Sequence, residues 1–303
     1  MSAHSDRSSL AKAPHAPPHS TLHLIAQRLS AASGLAVTVV DTIASTNSAL
    51  LDSAAHSPMH PQPPCALLAL SQSAGRGRRA REWVNAPVSA AARQSPAHSD
   101  LTGVPAFLGS LAVCTQLSLA HIALLPLHIG VALAQQLRVW GCPAQLKWPN
   151  DLVLATPAGS AKIGGILLET RTVHPAGVAS IAVVMGCGLN WLSAPPIQDR
   201  LAACAAPFAP LAPDAESVFA GLLRAIHLGW QRSASQAPCD FAPFDALFNC
   251  AVELHPPVNG VSHGIARGID TRGHLGIDTA RGRVWVNSGE VSVRASLAQA
   301  SLA

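Results

Sequence analysis

The chain has 303 residues, of which 49% are hydrophobic and only 12% charged, with 22 glycines, 24 prolines and no tyrosine. So apolar a chain can bury a sizeable core, which excludes a disordered or fibrous protein, and its length suits one large domain with an appendage or two modest ones. The net charge of 20 − 16 = +4 is small, and the four arginines and one glutamate of Arg76 to Glu82 hold +3 of it, so a broad nucleic-acid-binding face is not indicated.

Residues 1–20, rich in Ser, Pro and His, lack the apolar segment of a secretory signal and read as a disordered tail. The spacing of Leu22, Ile25, Ala26 and Leu29 predicts a helix over 21–33, ended by Gly34, before a strand at LAVTVVD. STNSALLDSAA predicts a second helix that starts on good N-cap residues, and the Pro-rich HSPMHPQPP stops it. CALLALSQ is an apolar run of strand length, and the stretch SQSAGRGRRAREW carries the chain past its end. Residues 84–106 are rich in Ser, Ala and Pro and read as a long loop.

A strand is predicted around LGSLAVC and a helix around LHIGVALAQQLRVW, closed by Gly141. From Gly103 to Leu137 no residue is charged, which is long enough to span a bilayer. Gln116, His121, His128, Gln135, Gln136 and Pro126 within it favour a strand and a buried helix, so no membrane partner is expected. QLKWPNDLVL predicts two strands turning at Pro149 to Asp151, a hairpin leads into KIGGILLET, and ASIAVVMGCGLNW reads as a buried strand. Helices are predicted over 214–234 and 240–248. Beyond them AVELHPP, SHGIARGID, GHLGID and GRVWVNSGEVSVR are short Gly-punctuated strands, the texture of a small β-barrel. The division expected is a tail over 1–20, a catalytic domain over 21–249 and a barrel over 250–303. Seven scattered cysteines without a C-x-x-C pair point to reduced thiols and a cytoplasmic protein, and no zinc site is expected.

Three places concentrate chemistry. The knot Gly75, Arg76, Gly77, Arg78, Arg79, Ala80, Arg81 can present backbone N–H groups and guanidinium forks to a phosphate or carboxylate, although a solvated basic loop has the same composition. KWPND aims Asn150 and Asp151 from strand ends, as a plain hairpin turn also would. KIGGILLE and GCGLN place glycines inside apolar strands, where they weaken the strand unless something passes close by. No Walker motif and no G-x-S-x-G elbow is present.

In this order the motifs resemble the biotin protein ligase family: STN at 45–47, Q-x-x-G-R-G-R-R-x-R-x-W from Gln72 to Trp83, KWPND, KIGGILLE and G-x-G-L-N, with RGID at 267–270 and SGEVSVR at 288–294. The resemblance implies an α+β catalytic domain related to class II aminoacyl-tRNA synthetases, with a mixed sheet and helices, followed by an SH3-like barrel. It implies that biotin and ATP, with Mg2+, form biotinyl-5′-AMP, and that a lysine of a biotin carboxyl carrier domain of acetyl-CoA carboxylase then takes the biotinyl group. By the motif match, Ser45, Thr46, Asn47, Gln72, Gly75, Arg76, Gly77, Arg78, Lys162, Gly164, Gly165 and Gly188 would bind biotin. Arg78, Arg81, Lys147, Asn150, Lys162, Asn190 and Arg294 would meet ATP or the adenylate, and Lys162, Arg78 and Lys147 would be catalytic. The metal ligands are left open, with Asp151 a candidate.

Three departures bear on this. The tail and one helix leave no room for the N-terminal helix-turn-helix of repressor relatives, so no DNA partner is expected. Alanine stands at position 80, where the family usually has glycine, and the loop after Trp83 is long. Two alternatives are a lipoate or octanoate transferase of the same superfamily and a non-enzymatic module binding anions or nucleic acid through the knot.

Overall fold

A computed structural model describes residues 19–56, 64–86, 101–197, 200–258, 260–288 and 292–295. The expected tail up to residue 18 and the centre of the expected loop, 87–100, lie outside the described residues.

A seven-stranded mixed sheet organises the first part, in the order β1 (Ala36–Ile43), β2 (Cys65–Gln72), β3 (Ala106–Thr115), β7 (Ser180–Asn190), β6 (Gly159–Val173), β5 (Asp151–Thr156), β4 (Gln145–Lys147). Only β1 and β2 run parallel, because the helix α2 (Thr46–His56) carries the chain between them as a crossover; every other pairing is antiparallel. Period-2 alternation along β7 gives its two faces different neighbours. Ala182 and Val184 belong to small apolar clusters with Ala54 and Leu51 of α2, while Val183, Met185, Cys187 and Leu189 enter the main core. That core is covered by α1 (His19–Ser33), α3 (Leu119–Val139) and α4 (Ala215–Ala234).

Two of these helices show why the sequence forms them. Asp214 caps α4, its Oδ1 accepting from Ser217 N at 3.0 Å and its Oδ2 from Ser217 Oγ at 2.8 Å, and Val218, Phe219, Leu222, Leu223 and Ile226 bury one stripe. A Cβ at Gly229 would lie 2.6 Å from Ile129 Cα, so this glycine lets α4 cross α3 at close range. α3 is long and apolar enough to cross a membrane, yet it is buried between α4 and the sheet, and it begins eight residues before the predicted LHIGVALAQQLRVW, with Pro126 inside it.

The predicted helix over 240–248 is corrected: that segment holds only a 3-10 turn at Ala242–Phe244. Phe241, Phe244 and Leu247 are all buried and imitate a helical period, but Pro243 lacks an N–H and disfavours helical backbone before it. The chain then builds a second, wholly antiparallel sheet in the order β11 (Gly282–Val286), β10 (Leu275–Thr279), β9 (Val261–Ile269), β8 (Ala251–Val258), β12 (Ser292–Ala295). Its apolar side, with Val252, Leu254, Ala266, Leu275, Ile277 and Val286, joins the same core cluster as the large sheet, so the two sheets pack as one body.

Candidate functional site

A cleft of about 890 Å³ opens on the α2 side of the large sheet, within the size range of small-molecule sites. Its floor is nearly bare of side chains because β7 carries Gly186 and Gly188 on that face and β6 carries Gly165, while β3 contributes the small Ser110 opposite Gly186. Added side chains would fill this space. A Cβ at Gly188 would lie 2.5 Å from the Trp83 ring, and one at Gly186 would collide with the Asn47 amide.

One wall is a connected polar network at the N-terminus of α2. Gln72 Oε1 accepts from Thr46 N at 2.8 Å and from Thr46 Oγ1 at 3.1 Å; Thr46 Oγ1 and Ser110 Oγ are 2.7 Å apart. Ser110 Oγ donates to Asn47 Oδ1 at 2.6 Å, and Asn47 Nδ2 donates to Glu169 Oε2 at 3.0 Å and to Leu167 O at 3.2 Å. Glu169 Oε1 in turn accepts from Arg76 Nη2 of the basic knot. Ser45, Thr46, Asn47 and Ser110 are all buried, so a fully satisfied network holds these groups rigidly. Gln72 spends its carbonyl on this wall, which leaves its amide N–H groups for a ligand.

The knot folds back on itself. Trp83 N donates to Gly75 O at 2.9 Å and Gly77 N to Arg81 O at 2.7 Å, so the loop is a tight reversal with a 3-10 turn at Arg78–Ala80. Arg78 crosses from it to the second sheet, donating from Nη1 to Asn150 Oδ1 at 3.2 Å and from Nη2 to Ser288 O. Burial, then the charges of Arg79 and Arg81 against that of Asp151, lower its guanidinium below the usual range, where it still carries its proton at neutral pH. Arg79 and Ala80 both have φ of 57°. That left-handed conformation costs a residue with a Cβ about 1–2 kcal/mol. Part is returned because glycine would gain entropy when unfolded, so Ala80→Gly is expected to stabilise the protein by about 1 kcal/mol, a Tm rise of roughly 2–4 °C. An unchanged or lowered Tm in a thermal scan would overturn that assignment of strain.

Across the cleft, Lys162 Nζ donates to Asp151 Oδ1 at 2.6 Å and stands 5.6 Å from the centroid of the Trp83 ring. A register shift between β5 and β6 lies beside Leu152 and Val153, and Gly165 leaves room for the ammonium, since a Cβ there would lie 3.2 Å from Nζ. Two buried polar atoms in cleft-lining residues, Trp83 Nε1 and Asn190 Oδ1, have no partner among the described residues. Cys187, between the two floor glycines, faces the core, and burial pushes its thiol up to about 12, which removes it as a nucleophile.

Of the residues singled out from sequence, Ser45, Thr46, Asn47, Gln72, Arg76, Gly77, Arg78, Arg81, Lys147, Asn150, Asp151, Lys162, Gly165, Gly188 and Asn190 all line the cleft. Two do not. Gly75 lies beneath the knot, where a Cβ would meet Trp83 O at 2.5 Å, and Gly164 faces Gly188 O inside the sheet. Backbone passes close over both, which accounts for their lack of a side chain without a ligand. Arg294 occupies β12 opposite Glu253, and its side chain lies outside the described residues. Sequence reasoning missed Ser110 and Gly186 as cleft residues and Glu169 as the link between the polar wall and the knot. Gly186 had a signal, the close glycine spacing of GCG; Ser110 sits in an apolar strand and had none.

The family model described as the Biotin/lipoate A/B protein ligase family matches residues 39–190, and that described as the Biotin protein ligase C terminal domain matches residues 251–294. Over 228 residues the chain is 31% identical to a biotin--[acetyl-CoA-carboxylase] ligase of Mycobacterium tuberculosis, covering 74% of this chain and 77% of that protein. A protein of the same name from Paracoccus denitrificans is 32% identical over 238 residues, covering 74% and 88%. A biotin protein ligase from Aquifex aeolicus, solved in complex with biotin and ATP, shares the fold, with a TM-score of 0.62 at 20% identity over 86% of this chain and 99% of that one.

Proposed function

The chain belongs to the biotin protein ligase family, and from that premise we propose that it activates biotin with ATP and passes the biotinyl group to a lysine of a biotin carboxyl carrier domain of acetyl-CoA carboxylase. One observation carries this reading: the polar wall, the glycine floor, the arginine knot and Lys162 line a single cleft.

In the first step a carboxylate oxygen of biotin attacks the α-phosphorus, and the bond from that phosphorus to the bridging oxygen breaks, its electron pair leaving with pyrophosphate. In this reading Thr46, Gln72 and Ser110, which share one hydrogen-bond network, hydrogen-bond the ureido end of biotin. Arg78, Arg81, Lys147 and Lys162 supply positive charge where carboxylate and phosphate would otherwise repel each other. Alignment of the two reactants contributes about 7–11 kcal/mol in favourable cases, so no enzyme nucleophile is needed. In the second step the amine of the carrier lysine attacks the acyl carbon, and AMP departs.

Magnesium enters as part of the nucleotide substrate, held chiefly by phosphate oxygens. Among the described residues no group of three or more His, Cys, Asp or Glu could hold a metal alone, and Asp151, now paired with Lys162, is a cleft carboxylate that would join the phosphates in holding it.

Incubation with labelled biotin, MgATP and a carrier domain is expected to place label on the carrier, and omission of ATP to abolish it. Label transfer with lipoate but not with biotin would overturn the assignment of biotin as substrate.

A further inference from the structure

The polar wall is one arc of a closed circuit. From Gln72 at the end of β2 the hydrogen bonds run through Thr46, Ser110 and Asn47 to Glu169 of β6, and Glu169 returns them to Arg76, in the loop that Gln72 begins. The circuit thus joins α2, three strands of the large sheet and the knot. Gln72, Thr46, Asn47, Ser110 and Arg76 line the cleft, whereas Glu169 lies outside its lining.

A carboxylate can only accept, and this sets the order of hydrogens round the circuit. Asn47 Nδ2 spends one hydrogen on Glu169 Oε2 at 3.0 Å and the other on Leu167 O at 3.2 Å, so Asn47 Oδ1 is the atom that accepts from Ser110 Oγ at 2.6 Å. Thr46 Oγ1, between Ser110 Oγ at 2.7 Å and Gln72 Oε1 at 3.1 Å, then spends its own hydrogen inside the circuit. What Thr46 has left for a ligand is a lone pair, and what Gln72 has left is an amide N–H. An acceptor beside a donor complements the adjacent N–H and C=O of a ureido group. At its other oxygen Glu169 holds the Arg76 guanidinium. The two side chains of that ion pair are 45% and 22% exposed, so it adds little to stability, and its consequence is where Arg76 stands.

We propose that Glu169 is a positioning residue for biotin: it fastens the knot's Arg76 to the wall and holds Asn47 in the orientation that orders the wall's donors and acceptors. The inference rests on the ligase reading above, since biotin is the ligand that the wall would meet. Two donors converge on Glu169, one on each oxygen, and only a carboxylate of this length satisfies both. Glutamine has the same shape but one acceptor and one donor, so it satisfies Asn47 or Arg76 and leaves the other facing an N–H.

Calorimetric titration of biotin into the full chain tests this on Glu169→Gln, Arg76→Ala, the double variant and Arg171→Ala. Glu169→Gln is expected to weaken biotin about tenfold, with the KM for ATP in pyrophosphate release moving less than about threefold. Arg76→Ala should weaken biotin by a similar factor. In that background Glu169→Gln should cost less than about twofold, because the glutamine oxygen can turn to Asn47 once the second donor is gone. Arg171, farther along β6, bonds Leu51 O and Asp52 of α2 outside the cleft lining, so Arg171→Ala controls for loosened packing between β6 and α2 and should keep biotin affinity within about twofold. Unchanged biotin affinity in Glu169→Gln or in Arg76→Ala, additive costs in the double variant, or an equal loss in Arg171→Ala would overturn the positioning role and leave the ligase reading standing. A fall in Tm without a fall in biotin affinity would make Glu169 a purely structural residue. If the unaltered protein binds no biotin, the ligase reading falls and takes this role with it.

Discussion

Lys162→Ala is expected to lower biotinyl-AMP formation by about 10²–10³-fold, the loss seen when a preorganised group aimed at developing charge is removed. Geometry places the ammonium for this. It lies between Asp151 and the Trp83 ring, on the strand next to the glycine floor, with its side chain only 18% exposed. An ammonium in that setting is less screened than one at the surface, so its attraction for a carboxylate and a phosphate approaching together is stronger. Removal also strips Asp151 of its ion-pair partner in the cleft, leaving an unpaired negative charge where the proposed reactants already repel each other. Lys162→Arg should not rescue fully, because a planar guanidinium cannot occupy the space that Gly165 leaves beside Nζ. The measurement is biotin-dependent pyrophosphate release, with Tm recorded to show that the fold persists. Near-normal release would overturn the catalytic role given to Lys162.

Gly188→Val is expected to abolish biotin binding while the protein remains folded. The position is paired on both sides, with Leu108 of β3 and Gly165 of β6, so the backbone cannot withdraw, and any side chain must enter the cleft against the Trp83 ring. Overpacking of this kind costs about 1–3 kcal/mol when neighbours can yield. Here the yielding neighbour is the indole that flanks Lys162, so the cost falls on the ligand site. A loss of biotin affinity of about 100-fold or more, with Gly188→Ala intermediate, is expected by calorimetry. Biotin affinity within a few-fold of the unaltered protein would show that Gly188 is small for a reason other than the ligand.

The glycine strands show how much of the site was legible in advance. Glycine inside an apolar strand is locally unfavourable, so KIGGILLE and GCGLN announced that something passes close to those backbones. What passes differs from one glycine to the next. Gly165 and Gly188 open onto the cleft, whereas Gly164 makes room for Gly188 O and Gly75 for Trp83 O, and sequence cannot tell a gap left for a ligand from one left for the chain itself. The helix expected over 240–248 failed for a related reason. Three buried apolar residues at near-helical spacing satisfy the periodic pattern, while the prolines around them forbid the backbone that the pattern implies.

By itself the sequence determined the class of structure, the order of most elements and the family, because hydrophobic period, capping residues and loop motifs act over a few neighbouring positions. Most of the residues it named also line the cleft, since they sit in those motifs. Only the tertiary structure decided which groups meet: Ser110 closing the Thr46 and Asn47 network, Glu169 tying that network to Arg76, and Arg78 reaching Asn150 and Ser288. These pairs stand from 63 to 210 positions apart. Their meeting depends on sheet order and on how two sheets pack, which no local pattern in the chain encodes.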